Sequence, residues 1–194
     1  MPERPFRFVV LALVLGAFAA GCATRTVTPG EPDQPAPSAT SAPQLPPRPQ
    51  ELRIDGVDPC TLLDPHQRQQ LGVDGEPRPG GGSSRGEPAC SYDHLSAEPF
   101  YGVNIATVPF EGAQVWLNGT RNVDTQIIDV AGFGAVTTRA KGDDSDCSVI
   151  VDVAEGQSMD VLFTGDSAGS FTPDEMCEKA RLAAEAATRT LLAR

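Results

Sequence analysis

Cys147-Ser-Val-Ile-Val-Asp-Val-Ala-Glu-Gly-Gln-Ser-Met-Asp-Val-Leu-Phe-Thr164 contains two runs rich in Val, Ile, Leu and Phe, broken by Ala154-Glu-Gly-Gln157. The composition predicts strands over Cys147–Val153 and Ser158–Thr164 joined by a hairpin turn. A second kind of pattern follows. Thr172 and Glu175 form a T-x-x-E capping box around Pro173, which suits the first helical position, so a helix is expected from Pro173 to Leu192. Met176, Ala180, Ala183, Ala184, Ala187 and Leu191 give that helix an apolar stripe narrow enough to pack close against a sheet.

Upstream, Phe100–Val108 alternates with period two through Val103 and Ile105, and Ala89–Leu95 reads as its hairpin partner. Thr125–Val130 and Ala135–Arg139 add two strands around the bend Ala131-Gly-Phe-Gly134. Leu52–Cys60 is a short lead-in. A compact helix is expected over Thr61–Gly72, with Asp64 as N-cap, Pro65 at the first position, Gly72 as its stop, and Leu62, Leu63 and Leu71 facing inward. A short helix over Glu111–Asn118 would bring Val115 and Trp116 to the edge of the core, and Asn118-Gly-Thr120 reads as a turn. Gly75–Pro88 reads as a flexible loop, and its Pro79-Gly-Gly-Gly-Ser-Ser84 lacks the Gly-Lys-Ser/Thr of a phosphate loop. Central strands with helices at both ends predict an α+β domain with a mostly antiparallel sheet.

The folded part is expected at 51–194. Before it, Arg4 and Arg7 precede an apolar run from Phe8 to Ala20, too short to span a bilayer and typical of a signal-peptide core, so 1–21 reads as a signal peptide. The run ends at Ala19-Ala-Gly-Cys22. A cysteine directly after small residues matches the bacterial lipobox, whose thiol receives diacylglycerol before the signal is cut; Ala19 stands where that motif prefers leucine. Cys22 is therefore the expected lipidation site, giving attachment to the extracytoplasmic face of the cell membrane. Residues 22–50 carry eight prolines among Ser, Thr, Ala and Gln and read as a disordered tether. At about 3.1 Å per residue in polyproline II, such a tether reaches at most about 85 Å.

The chain has five cysteines. Setting Cys22 aside leaves Cys60, Cys90, Cys147 and Cys177, an even set suited to an exported protein. Four cysteines allow three pairings. Cys60 with Cys90 and Cys147 with Cys177 is the expected one, since each bridge then ties a helix to the sheet. A metal site is the rival reading, but there is no C-x-x-C and neither His66 nor His94 is near Cys147 or Cys177 in sequence.

Asp58-Pro-Cys60 with Leu62-Leu63 and Leu71-Gly72, then Cys90-Ser-Tyr92, the late-strand Cys147, and Cys177-Glu-Lys-Ala180 opening an alanine-rich helix together carry a likeness. They resemble the actinobacterial lipoproteins grouped as domain of unknown function 3558. Tyr92 stands where tryptophan is the more common residue. The resemblance covers nearly the whole mature chain and implies an envelope-anchored, extracytoplasmic lipoprotein without an assigned activity.

Gly165-Asp-Ser-Ala-Gly169 spells G-x-S-x-G and makes Ser167 the candidate nucleophile of a serine esterase, the alternative function. The context disfavours it. In the α/β-hydrolase order the histidine follows the serine, yet His66 and His94 both precede it, and the next helix starts at Thr172 rather than at the serine. A glycine-flexed turn between strand and helix is expected instead. Gly142-Asp-Asp-Ser-Asp146 lacks the downstream bidentate Glu of an EF-hand calcium loop and reads as a solvated loop. The net charge of −11 argues against a nucleic-acid partner. No metal or cofactor motif stands out. The expected role is a non-catalytic binding or interaction module of the cell envelope, taking either a lipid or small hydrophobic ligand or a protein partner.

Overall fold

In a computed structural model of the chain, the residues described are 42–81, 86–166 and 169–194. The elements run α1 (Pro65–Leu71), β1 (Arg78–Gly81), β2 (Pro88–His94), β3 (Tyr101–Val108), β4 (Val123–Val130), β5 (Phe133–Ala140), β6 (Asp146–Ala154), β7 (Gln157–Gly165) and α2 (Pro173–Leu192). The strands form one antiparallel sheet in the order β1-β2-β3-β7-β6-β5-β4. Two meanders, β1 to β3 and β4 to β7, are joined where β3 pairs with β7. This is the α+β architecture expected, with helices at both ends of the domain.

The sheet alternation divides its residues between two faces. On the front, Cys147, Val149, Val151 and Val153 of β6 join Met159, Val161 and Phe163 of β7 in the main core, all fully buried. α2 lies across this face, packed on β6 and β7. Its capping box is complete: Thr172 Oγ1 accepts from the Glu175 N–H, and the Glu175 carboxylate accepts from the Thr172 N–H. Asp174 and Glu175 add negative charge where the helix dipole favours it. All six residues of the predicted stripe are buried, joined by Thr188, whose hydroxyl donates to Ala184 O at 2.7 Å. Alanine at four of these positions keeps the helix axis close to the sheet, so contacts are made by short side chains and backbone.

Both expected disulfides are present. Cys60–Cys90 joins the segment ahead of α1 to β2, and Cys147–Cys177 joins β6 to the first turns of α2. Tyr92 follows Cys90 by two residues on the same face. It is fully buried and donates its hydroxyl to Pro59 O at 2.7 Å, one residue from Cys60.

Several local readings need correction. The helix expected over Thr61–Gly72 is a single 3-10 turn at Pro59–Thr61 followed by α1, which starts at Pro65 under the Asp64 cap. Gly72 ends it at φ 72°, and a Cβ there would lie 2.5 Å from the Tyr101 hydroxyl, so both backbone and packing require glycine. The loop expected over Gly75–Pro88 holds β1, whose pairing with β2 overrides the weak strand propensity of Arg-Pro-Gly-Gly. The helix expected over Glu111–Asn118 is a 3-10 helix, Ala113–Asn118. It lies in the crossover from β3 to β4 and covers the back of β5 and β6, which explains why Val136 and Ile150 are buried on that side as well.

Residues 43–48, part of the proline-rich stretch read as tether, lie against the same back face. Gln114 binds them through its amide, accepting from Leu45 N–H and donating to Pro43 O, both at 3.0 Å. Pro46 packs on Gly134 so closely that a Cβ there would meet it at 2.8 Å. Arg48 then bonds Asp152, Glu51 and Glu155, all at the β6–β7 end. Specific hydrogen bonds, which composition does not reveal, order this end of the stretch.

Candidate functional site

Of the residues singled out in the sequence, Cys60, Cys90, Cys147 and Cys177 are occupied as structural disulfides. Cys22 and Ser167 lie outside the described residues. Gly165 and Asp166, next to Ser167, sit at the end of β7, where the Asp166 N–H donates to Phe100 O at 3.1 Å. His66 is exposed on α1. His94 ends β2 with Nδ1 at 2.7 Å from Gly72 O and 3.2 Å from an Asp74 carboxylate oxygen; both accept, so Nδ1 carries the proton. In the Gly142–Asp146 stretch, burial and the neighbouring Asp143 charge raise the Asp146 carboxyl above the ordinary aspartate range. Among the described residues, no three His, Cys, Asp or Glu side chains converge as a metal site.

What the fold assembles lies elsewhere. Tyr101, Phe163 and Phe171 meet edge-on or tilted with ring centroids 5.2–5.8 Å apart, and His94 stacks on Tyr101 at 4.8 Å. The ammonium of Lys179 on α2 lies 5.1–5.8 Å from the three rings. Tyr101 donates its hydroxyl to Leu71 O at 2.9 Å, and burial raises its ionisation above the ordinary tyrosine range. Val103 and Ile105 mark the strand Phe100–Val108 in the sequence, and Tyr101, which continues their alternation, is not singled out there. Partnership with Phe171 and Lys179 depends on how α2 docks.

Beside the cluster, Gln70, Leu71 and Leu182 border an apolar recess of about 70 Å³, which adjoins a groove of about 200 Å³ between α1 and α2. On the other side of α2, Asp124, Gln126, Thr137, Arg139, Asp174 and Arg181 border a groove of about 320 Å³ with Cys177 in its wall. A fourth groove, about 600 Å³, separates Pro46 and Pro47 from the 3-10 helix. All four open to solvent. Arg181 is held by Glu178 and Glu185 on its own helix at 2.6 Å each.

These features define an antiparallel α+β domain stapled by two disulfides, whose recesses among the described residues are surface grooves. Its sequence matches the family model described as "Protein of unknown function (DUF3558)" over residues 17–190, and the chain belongs to that family. No curated protein and no solved structure matches the chain.

Proposed function

We propose that this protein is a membrane-tethered, extracytoplasmic lipoprotein that serves as a non-catalytic interaction module of the cell envelope, and that its partner is a protein rather than a lipid or small hydrophobic molecule. One observation carries the choice of partner. The apolar recess measures about 70 Å³ and the groove it adjoins, lined also by Gln67, Glu185 and Arg189, about 200 Å³, while sites that enclose a drug-sized ligand generally run about 300–1,000 Å³. Alanine packing on the front face and the 3-10 helix on the back leave the sheet covered by short contacts. The larger grooves mix charged and polar groups with apolar ones, as the apolar centre and polar rim of a protein contact surface do.

The tether rests on the sequence alone. Cys22 after a short apolar segment supports attachment by acyl chains, and stable attachment takes more than one such chain. In the esterase alternative Ser167 is the nucleophile.

Three measurements test the reading. Cys22→Ser should move the protein from the membrane fraction to the soluble extracytoplasmic fraction; unchanged partitioning removes the anchor from the account. Native mass spectrometry of the purified mature chain should show no stoichiometric non-covalent lipid, and a bound lipid displaced by Leu182→Asp would replace protein docking with ligand carriage. Labelling by a fluorophosphonate that disappears in Ser167→Ala would establish the esterase.

A further inference from the structure

The two edges of the sheet are built differently. β1 has four residues, Arg-Pro-Gly-Gly, and Pro79 removes a backbone donor. Natural sheets blunt an edge in this way, with few residues, proline and weak strand formers. β4, the opposite edge, has eight residues, Val-Asp-Thr-Gln-Ile-Ile-Asp-Val, without proline, glycine or lysine, and five of the eight are β-branched. It pairs with β5 in unbroken register from Val123–Ala140 to Val130–Phe133. Among the described residues, nothing pairs with its outer side. Most of its side chains are exposed, including Ile127 at 37%. An edge this long and regular presents a row of unpaired N–H and C=O groups, and extended polypeptide is the ligand chemistry that matches such a row.

We infer that β4 is a docking edge that takes an extended, basic segment of a protein partner as an eighth, antiparallel strand. The inference rests on the protein-docking reading above and names its site. Alternate side chains of an added strand fall on the front face beside Asp124, Gln126 and Ile128, at the mouth of the 320 Å³ groove whose far wall is α2. Edge and groove together therefore offer backbone pairing for affinity and side-chain space for selectivity.

Charge selects the partner. Asp124 and Asp129 are both exposed, sit one residue in from each end of β4 and, five positions apart, face opposite sides of the sheet. Asp124 stands opposite Arg139 in the β4–β5 ladder without an ion pair to it and has Lys141 at 3.9 Å, and Asp174 adds a further carboxylate at the groove. The chain as a whole carries −11. A second copy pairing 123 with 130 would set Asp124 opposite Asp129 twice, a like-charge arrangement that destabilises a sheet. Residues 23–41 of the same chain contain four prolines, one Arg and no Lys, a poor match to either the ladder or the charge. A segment with cations five positions apart satisfies both aspartates.

The test uses an eight-residue probe of alternating Thr and Val with lysines at positions 2 and 7, added to the mature chain. Saturable binding is expected, with amide exchange slowed across Val123–Val130 and not at β1. Methylating the amide nitrogens on one edge of the probe should abolish binding, while methylating the other edge should spare it. Asp124→Lys with Asp129→Lys should weaken the lysine probe at least tenfold and favour the same peptide carrying glutamates at positions 2 and 7. Binding indifferent to the charge reversal, equal effects of the two methylation patterns, protection away from β4, or no saturable binding at millimolar probe would each overturn the assignment. So would a dimer of the chain alone with β4 amides already protected. The Cys22→Ser and lipid measurements do not involve β4, so the assignment and the broader reading fail separately.

Discussion

Arg48 reaches Asp152 across more than a hundred residues of sequence. Its Nη1 donates to Asp152 Oδ2, while Nε and Nη2 bond Glu51 at 2.8 Å and Glu155 at 3.0 Å. Asp152 is only 7% exposed, and burial raises its carboxyl above the ordinary aspartate range against the opposing pull of Arg48. Arg48→Ala should therefore cost about 1–3 kcal/mol at neutral pH, because it leaves a buried carboxylate without its cation. For an Asp with a raised folded-state pKa, the folded state binds more protons than the unfolded state in the acid range, so this group favours folding as pH falls. Arg48→Ala should raise that pKa further. The difference in urea midpoint between the variant and the natural chain should thus be larger at pH 7 than at pH 4; a gap that grows on acidification would contradict the assignment.

Tyr92 tests the support of the first disulfide. Tyr92→Phe leaves the Pro59 carbonyl without its donor and should cost about 1–2 kcal/mol, read from thermal or urea unfolding. Burial raises the Tyr92 phenol above the ordinary tyrosine range. Its contribution is present below the unfolded pKa and lost as pH rises through the folded one. Tyr92→Phe should accordingly flatten the alkaline loss of stability above about pH 10.

Each disulfide closes a loop with a sequence separation of 30. Chain-entropy arithmetic assigns each about 3–4 kcal/mol. Replacing both cysteines of either pair by alanine should lower the unfolding free energy by that order, and similar losses are expected for the two pairs because their loops are equal in length.

α2 should respond oppositely on its two sides. Ala183→Leu inserts volume where the helix is fully buried on the sheet and should destabilise by about 1–3 kcal/mol. Its neighbour Leu182 is 41% exposed, and Leu182→Ala should stay within about 1 kcal/mol. Equal losses would mean that the helix docks with a different face.

Where structure was legible in the sequence, a few neighbouring residues set it. Thr172, Pro173 and Glu175 cap α2 by hydrogen bonds within four residues, and Asp64, Pro65 and Gly72 bound α1 in the same way. Alternation marked β3, and apolar runs on either side of a turn marked β6 and β7. Where the reading failed, a distant partner overrode local preference. β1 exists because β2 offers it a ladder, and residues 43–48 are ordered because Gln114, Gly134 and Asp152 wait for them on the back face. The aromatic cluster under Lys179 was not legible in the sequence, since its members arrive on β2, β3, β7, α2 and the segment between β7 and α2.

The sequence by itself determined the helix caps, the hairpin of β6 and β7, the inward stripe of α2 and the neighbours of each cysteine, because these follow from periodicity and bonds a few residues long. Only the tertiary structure decided the strand order, the passage of the chain behind the sheet to β4, the docking of residues 43–48 and the grooves on either side of α2. Those depend on which surfaces meet after hydrophobic burial brings distant segments together. The same passage sends β4, eight residues without proline or glycine, to the rim, where no strand among the described residues pairs with its outer row of backbone donors and acceptors.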